Sequence, residues 1–192
     1  MPDRLVLQTA RLVLRPYTLT DAPDLQHLIG DRDVASTTTN IPHPYEDGMA
    51  EEWIKAQPNL FAQGHSVHFA ITTRADNALI GGIGLRLTPT HQHGELGYWI
   101  GVPFWNHGYG TEAAQAVVTY GFEGLDLHRI HAYHMTRNPA SGRVMQKIGM
   151  HYEGCLRQHI CKWGVFEDAA VYGILKSEFD ASRISSSHGH IR

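Results

Sequence analysis

The sequence predicts a mixed α/β fold in which helices cover the faces of a single sheet. Runs rich in β-branched and aromatic residues alternate along the chain with segments whose apolar residues have helical spacing. In the second half these segments follow one another as two strands, a helix, a strand, a helix and two strands. This order is typical of a mixed sheet with helices packed against it.

The length favours one domain. A chain of 192 residues can bury most of the surface that its unfolded form exposes, and it contains no internal repeat or linker. We therefore predict a single domain over residues 1–180, followed by a mobile C-terminal tail over residues 181–192.

The first elements are predicted from residues 11–56. Residues 11–17 (RLVLRPY) have the composition of a strand, and Thr20 and Asp21 suit the capped start of a helix that follows it. Residues 31–47 contain two prolines, which predict a loop that can border a substrate pocket. Helical spacing returns in residues 46–56.

The later elements are predicted by the same patterns of alternation, helical spacing and turn residues. In chain order they are a hairpin of residues 66–74 and 78–88, a strand at 94–102, a helix at 108–125, a strand at 128–136, a short helix at 139–149, and a strand pair at 151–160 and 166–175.

Composition excludes several classes of function. The net charge is −3, and no run rich in Lys or Arg could neutralise a row of phosphates, so nucleic acid is not an expected partner. No apolar run reaches the roughly 18 residues that a membrane-spanning helix needs. The N-terminus lacks the features of a secretory signal, which predicts a cytoplasmic protein. Cys155 and Cys161 are six residues apart and are expected to be reduced, in the core or in a strand.

The strongest local feature is a strand, a glycine-containing loop and the start of a helix. The strand ends in GYWIGVPF, the loop covers residues 105–110, and the helix begins near Thr111. Gly108 and Gly110 let the backbone approach an anion closely, and the first N–H groups of a helix have no partner inside it. The loop is consistent with a phosphate site or with a simple tight turn. It lacks the spacing of dinucleotide and nucleoside triphosphate loops.

This loop resembles the pyrophosphate-binding motif of the GNAT acetyltransferases, which reads Gln or Arg, two residues, Gly, one residue, and Gly or Ala. Gly108 and Gly110 match, whereas Trp105 replaces the first residue, a variant familiar in the Rim-type branch that acetylates ribosomal-protein N-termini. The segments RNPASGRVMQKIGMHYEG and RLVLRPYTLTDAPDL are also similar to that branch. The resemblance covers about residues 8–178.

The resemblance implies a central, mostly antiparallel sheet that splays open at an acetyl-CoA cleft, with helices on both faces. It also implies transfer of an acetyl group from acetyl-CoA, the co-substrate, to a primary amine, with the α-amine of a protein N-terminus as the expected acceptor. A small amine or an aminoglycoside is an alternative acceptor, and a non-catalytic acyl-CoA-binding module is an alternative function. The expected oligomeric state is a monomer or a homodimer.

The resemblance further implies which residues bind the cofactor. At the end of the strand they are Trp99, Ile100 and Gly101. In the loop and the start of the helix they are Trp105, Asn106, His107, Gly108, Tyr109, Gly110 and Thr111. Asn138 precedes the next helix, and Lys147 lies near the end of that helix. His107 supplies a positive charge only when it is protonated. Asn138 precedes a proline and is equally consistent with a simple helix cap.

Two residues are predicted to carry the chemistry. Glu95 occupies the position of the family's glutamate base, and a carboxylate that accepts the proton of an attacking amine suits this reaction. The usual acid of many GNAT members is a tyrosine at the position of Met145, which has no proton to give. Ser141 is the replacement that the resemblance implies, and Tyr152 is a second candidate. Glu95 is also consistent with a solvated surface residue, and Ser141 with a first-turn residue that satisfies backbone N–H groups.

An H-x-H-x-E cluster of His91, His93 and Glu95 has the residue types of a metal site, because alternate residues of a strand share a face. It adjoins a turn at Gly94 and has no helical histidine motif or cysteine ligand beside it. We therefore predict that the protein binds no metal.

Overall fold

The computed structural model describes residues 5–181 and contains one eight-stranded sheet. The mixed α/β fold predicted from the sequence is confirmed. The strands are β1 (Leu7–Gln8), β2 (Leu12–Arg15), β3 (Ser66–Thr73), β4 (Leu79–Thr88), β5 (His93–Ile100), β6 (Arg129–Met135), β7 (His151–Lys162) and β8 (Val165–Leu175). Their order across the sheet is β1-β2-β3-β4-β5-β6-β8-β7. Residues 182–192 of the predicted tail lie outside the described residues.

Five helices connect the strands, together with a helical segment at residues 176–181. They are α1 (Ala22–Ile29), α2 (Arg32–Thr37), α3 (Met49–Ala62), α4 (Tyr109–Glu123) and α5 (Pro139–Lys147). No helix among the described residues is long and apolar enough to span a bilayer.

Two predictions about the helices were wrong. Residues 31–47 are not all loop, because α2 occupies Arg32–Thr37, with the Asp31 side chain accepting a hydrogen bond from the backbone N–H of Asp33 at its start. A helix of six residues is too short for its apolar period to stand out. The helix predicted over residues 46–56 continues to Ala62 and contains Pro58.

The two larger hydrophobic clusters of the described residues lie on opposite faces of the sheet, and a small third one contains Met135, Ile160 and Ala169. On one face, α4 buries Ala113, Ala114, Val117, Val118 and Phe122 against the strands. The small residues let the helix axis approach the sheet closely. On the other face, α1 and α3 bury Leu25, Ile29 and Ile54 in a second cluster. The sheet is therefore covered on both faces, as predicted.

The sheet opens between β5 and β6. These strands run parallel but pair only at their first residues, where Gly94 lies opposite Ile130 and Glu95 opposite His131. Beyond Glu95, β5 continues along β4, whereas β6 continues along β8. The two strands therefore diverge into a cleft whose inner edges are the last residues of β5 and β6, as the resemblance implied.

The last two strands form an antiparallel hairpin at the sheet edge, with Trp163 and Gly164 in its turn. Cys155 and Cys161 lie in β7 and are unpaired, as expected for reduced strand residues, but both are exposed. The alternative that they belong to the core is wrong, because β7 is an edge strand with few buried residues.

Candidate active site

The glycine loop closes one side of the β5–β6 cleft. Gly108 is the N-cap of α4 and has a φ of 81°, a left-handed conformation that glycine adopts without strain. The indole N–H of Trp105 donates to the carbonyl of Ile100 over 2.6 Å, which fixes the loop to the end of β5. The Nδ1 of His107 lies 2.8 Å from the Trp105 carbonyl oxygen, and its ring stacks on Tyr109. The loop is therefore held by its own side chains, with the first turn of α4 behind it.

Arg11, which precedes β2, contacts the same loop, a role that was not predicted from the sequence. Its guanidinium donates to the carbonyl of His107 over 3.0 Å and pairs with Glu112 over 2.7 Å. It also lies over the ring of Tyr109, 4.7 Å from the centroid. A permanent cation thus links the start of the second strand to the first turn of α4.

A cavity of about 530 Å³ extends from this loop to the start of α5. Every residue predicted to bind the cofactor lines it, except Gly101. The N–H of Gly101 donates to the carbonyl of Ile80 over 2.9 Å, so this group is not free for a ligand. Arg143 also lines the cavity and had not been predicted; together with Lys147 it places two cations there.

Asn138 acts as the cap of α5. Its side-chain oxygen accepts a hydrogen bond from the N–H of Ser141 at 3.4 Å, and Pro139 follows it at the first helical position. The capping role predicted as an alternative is therefore present, and the same side chain lines the cavity.

A second cavity, of about 650 Å³, lies on the other side of β5. Its walls come from α1, α2 and the segment after it, α3, β3, β4, β5, β6 and α5. Aromatic side chains form much of this wall, among them Tyr17, Tyr45, Trp53 and Trp99. His68 also lines it, and burial lowers the pKa of this histidine to about 4, so its imidazole is neutral near pH 7.

The floor of this cavity is made possible by glycines of β4. A Cβ added to Gly82 would lie 2.5 Å from the indole nitrogen of Trp99 and against the hydroxyl of Tyr17. A Cβ added to Gly84 would collide with His68. The GGIG segment of β4 was read from the sequence only as part of a strand, yet it lets these side chains lie directly on the backbone.

The two cavities meet where five residues line both, namely Thr37, Thr38, Tyr98, Trp99 and Ser141. The hydroxyl oxygens of Tyr98 and Ser141 are 2.7 Å apart, and the Tyr98 hydroxyl is also 3.0 Å from the carbonyl oxygen of Ser141. Burial raises the pKa of Tyr98 to about 12. Sequence analysis missed Tyr98, although it stands beside the predicted Trp99. The buried side chain of Met145 lines the larger cavity nearby.

Glu95 lies where β5 and β6 begin to diverge and lines the larger cavity. Its carboxylate is 2.5 Å from the guanidinium of Arg86 and 3.6 Å from the Nε2 of His131. Interaction with His131, and then with Arg86, holds the pKa of Glu95 below its ordinary value, although desolvation opposes this shift. Glu95 is thus a partly buried, ionised carboxylate rather than a freely solvated one.

The other predicted acid and the histidine cluster lie elsewhere. Tyr152 is 58% exposed on β7 and lines neither cavity, so it is not placed to protonate a leaving group. The rings of His91 and His93 are 5.8 Å apart. Within residues 5–181 no group of three or more His, Cys, Asp or Glu side chains is arranged to hold a metal ion.

The fold and site define a class of protein with two adjoining cavities, one of which lies beside a glycine loop at the start of a helix. The acetyltransferase (GNAT) domain family matches residues 11–151, so the chain belongs to the GNAT acetyltransferases and is an acyltransferase. The chain is 33% identical over 172 residues to the uncharacterized N-acetyltransferase YoaA of Bacillus subtilis (strain 168). This alignment covers 89% of the chain and 97% of YoaA.

Solved structures are similar over nearly the whole described chain. A GNAT-family acetyltransferase from Bacillus anthracis superposes with a TM-score of 0.79 at 28% identity, over 90% of this chain and 99% of that protein. RimL, a ribosomal L7/L12 α-N-protein acetyltransferase in complex with coenzyme A, superposes with a TM-score of 0.82 at 19% identity, over 89% of this chain and 98% of RimL. The expected Rim-type resemblance is consistent with these relatives.

Proposed function

We propose that this enzyme transfers acetyl directly from acetyl-CoA to the α-amine of a protein or peptide N-terminus. The observation that carries this proposal is the meeting of two cavities at Tyr98 and Ser141. One cavity suits a pyrophosphate-bearing donor and the other suits an acceptor. A thioester carbon at their junction is open to attack from the acceptor side, so a covalent enzyme intermediate is unnecessary.

The donor side suits acetyl-CoA because its polar groups match the cofactor's charges. The pyrophosphate would lie against the N–H groups at the start of α4, next to Gly108 and Gly110, where the helix dipole favours an anion. Lys147 and Arg143 line the same cavity and offer positive charge to phosphates. The pantetheine arm would follow the diverging edge of β5 past Asn138 towards Ser141.

The acceptor side favours an amine with few positive charges. Among the described residues that line this cavity, Glu95 is the single carboxylate, and Arg86 already neutralises it. His68 is neutral near pH 7, and the walls are largely aromatic. A polyamine or an aminoglycoside carries several ammonium groups that would find no free carboxylate here. A peptide N-terminus brings one ammonium and otherwise neutral, hydrogen-bonding backbone.

Glu95 and Ser141 supply the proton transfers in this proposal. An amine attacks a thioester only when it is neutral, and Glu95 accepts its proton, directly or through a water molecule. Its lowered pKa makes Glu95 a weak base, which suits an α-amine with an ordinary pKa of about 7.7–8.0 better than a lysine with a pKa near 10.4. Ser141 then donates to the sulfur as the C–S bond breaks.

An acceptor screen tests the proposal. Purified protein and acetyl-CoA are incubated with peptides that have free N-termini, the same peptides blocked at the N-terminus but carrying a lysine, spermidine, and an aminoglycoside. Release of CoA is followed and products are identified by mass spectrometry. We expect acetylation of the free α-amines alone. Faster acetylation of spermidine or the aminoglycoside would contradict the proposed acceptor, and acetyl-CoA binding without turnover of any amine would identify a binding module.

A further inference from the structure

Ser141 by itself is a poor proton donor. An aliphatic hydroxyl is a very weak acid, comparable with water, whose pKa is about 15.7. Loss of its proton would leave an alkoxide at the centre of a partly buried cleft, which is a costly charge to create. Ser141 can therefore give its proton to sulfur only if another proton reaches its oxygen in the same step.

Tyr98 contacts Ser141 at the required position. The two hydroxyl oxygens are 2.7 Å apart, a normal length for a hydrogen bond between hydroxyl groups. Tyr98 lies on β5 after Glu95, where the strand has separated from β6, and Ser141 lies in the first turn of α5. The contact thus links β5, one edge of the cleft, to α5, at the junction of both cavities.

We propose that Tyr98 acts through Ser141 as the second member of a proton relay to the leaving sulfur. This inference rests on the proposed acetyl transfer and adds a residue to it. Tyr98 is a positioning residue in this scheme, because it contacts Ser141 and not the substrate. It compensates for Met145, which stands where many family members have a tyrosine.

The relay balances as follows. The bond between the thioester carbon and sulfur breaks, and its electron pair stays on sulfur. The Ser141 proton forms the S–H bond, while the Tyr98 proton moves to the Ser141 oxygen. The amine nitrogen releases one proton to Glu95 or water as the amide forms, Glu95 passes that proton on to solvent, and the Tyr98 oxygen regains one proton from solvent. The net change is one proton lost from nitrogen and one gained by sulfur.

The environment of Tyr98 suits this role. Burial raises its pKa to about 12, so its hydroxyl keeps its proton near neutral pH. It remains a stronger acid than an aliphatic hydroxyl, so it can replace the proton of Ser141. Its hydroxyl can also point the other way, donating to the Ser141 carbonyl 3.0 Å away while it accepts from the Ser141 hydroxyl. That arrangement would turn the serine proton away from sulfur and interrupt the relay.

The experiment compares Tyr98→Phe, Ser141→Ala and the double variant in single turnovers, with an acceptor peptide that the parent acetylates. We expect Tyr98→Phe to slow transfer about 10²-fold while acetyl-CoA affinity, measured by calorimetry, stays within about twofold. The double variant should be no slower than Ser141→Ala, because the two groups act in series. The rates are also measured in mixtures of light and heavy water and plotted against the deuterium fraction. The plot should be curved for the parent, which indicates two moving protons, and straight for Tyr98→Phe.

Tyr120→Phe is the matched control, since Tyr120 lies on α4 away from both cavities. A Tyr98→Phe protein with the parental rate and curve would overturn the relay but leave acetyl transfer intact. So would a double variant whose loss equals the product of the single losses. A parent that acetylates no acceptor would instead contradict the proposed function, and the relay with it. If Tyr98→Phe does not fold, a fluorinated tyrosine at position 98 keeps the ring and a more acidic hydroxyl, and an unchanged rate there overturns the relay.

Discussion

The two cavities that meet at Ser141 are built in different ways. The proposed coenzyme cavity comes mostly from one stretch, residues 98–111, completed by α5 and by residues of α2 and just after it. Its proposed recognition elements include backbone N–H groups and a helix terminus. The proposed acceptor cavity is assembled from residues on eight helices and strands and the loops between them, from Tyr17 to Met145. A site formed by the backbone of a short segment can therefore be predicted from a local sequence motif, whereas a site formed by side chains distant in sequence cannot.

The largest effect is expected from a negative charge in the glycine loop. Gly108→Glu should weaken acetyl-CoA binding at least about 10²-fold, because its carboxylate would stand where the pyrophosphate must lie. Calorimetry with acetyl-CoA measures the effect. Gly108 has positive φ, so any side chain there also strains the backbone.

Gly48→Glu separates charge from strain. Gly48 is also a helix N-cap, with a φ of 85° and no atom within 4 Å of an added Cβ, and it adjoins α3 rather than the coenzyme cavity. The Gly48→Glu protein should lose about as much folding stability as Gly108→Glu but keep its affinity for acetyl-CoA. Equal loss of binding in both variants would mean that strain, and not the phosphate, explains the effect.

The next largest effect is expected at the chemical step. Glu95→Gln should lower kcat by about 10² to 10⁴ while acetyl-CoA affinity is nearly unchanged. Because the pKa of Glu95 is lowered, the carboxylate is charged at neutral pH, and its contribution is lost only as the pH falls through that lowered pKa. Any loss of rate between pH 8 and 6 therefore does not come from protonation of Glu95. Rates measured from pH 5 to 9 test this.

Glu153→Gln is the control for Glu95. Glu153 also pairs with an arginine, Arg129, but it lines neither cavity. Its removal should leave kcat within about twofold of the parent. If the two variants behave alike, the Glu95 carboxylate is part of an ordinary surface ion pair.

The smallest effect is expected at Gly82 of β4, which lies beneath the proposed acceptor cavity. Gly82→Ala should destabilise the fold by roughly 1–3 kcal/mol, because its methyl group would displace Tyr17 and Trp99. It should also raise the KM for the acceptor more than it changes the affinity for acetyl-CoA. Gly97→Ala on the neighbouring strand adds a methyl group with no atom within 4 Å, so its stability should change by less than about 0.5 kcal/mol. Chemical denaturation and acceptor kinetics measure both effects, and a Gly82→Ala protein with parental stability and KM would refute the packing argument.

Much of the fold was predictable because its signals are local. The hairpin of β3 and β4, the β5–loop–α4 unit and the last strand pair follow from alternation, turn residues and helical spacing within short windows. The segment that was misread, α2, is a six-residue helix whose start depends on Asp31 and whose inward residues, Val34 and Ala35, are too few to show a period.

The mixed α/β fold, the glycine loop at the start of α4 and the absence of the usual tyrosine at Met145 were all evident from the amino-acid sequence. Three contacts became evident only in the folded chain: Tyr98 contacts Ser141 across 43 positions of chain, Arg11 holds a loop 96 positions away, and Arg86 and His131 share the carboxylate of Glu95. The physical reason is that these contacts depend on strand register and on where β5 and β6 separate. A shift of one residue in register would turn each of these strand side chains to the opposite face of the sheet.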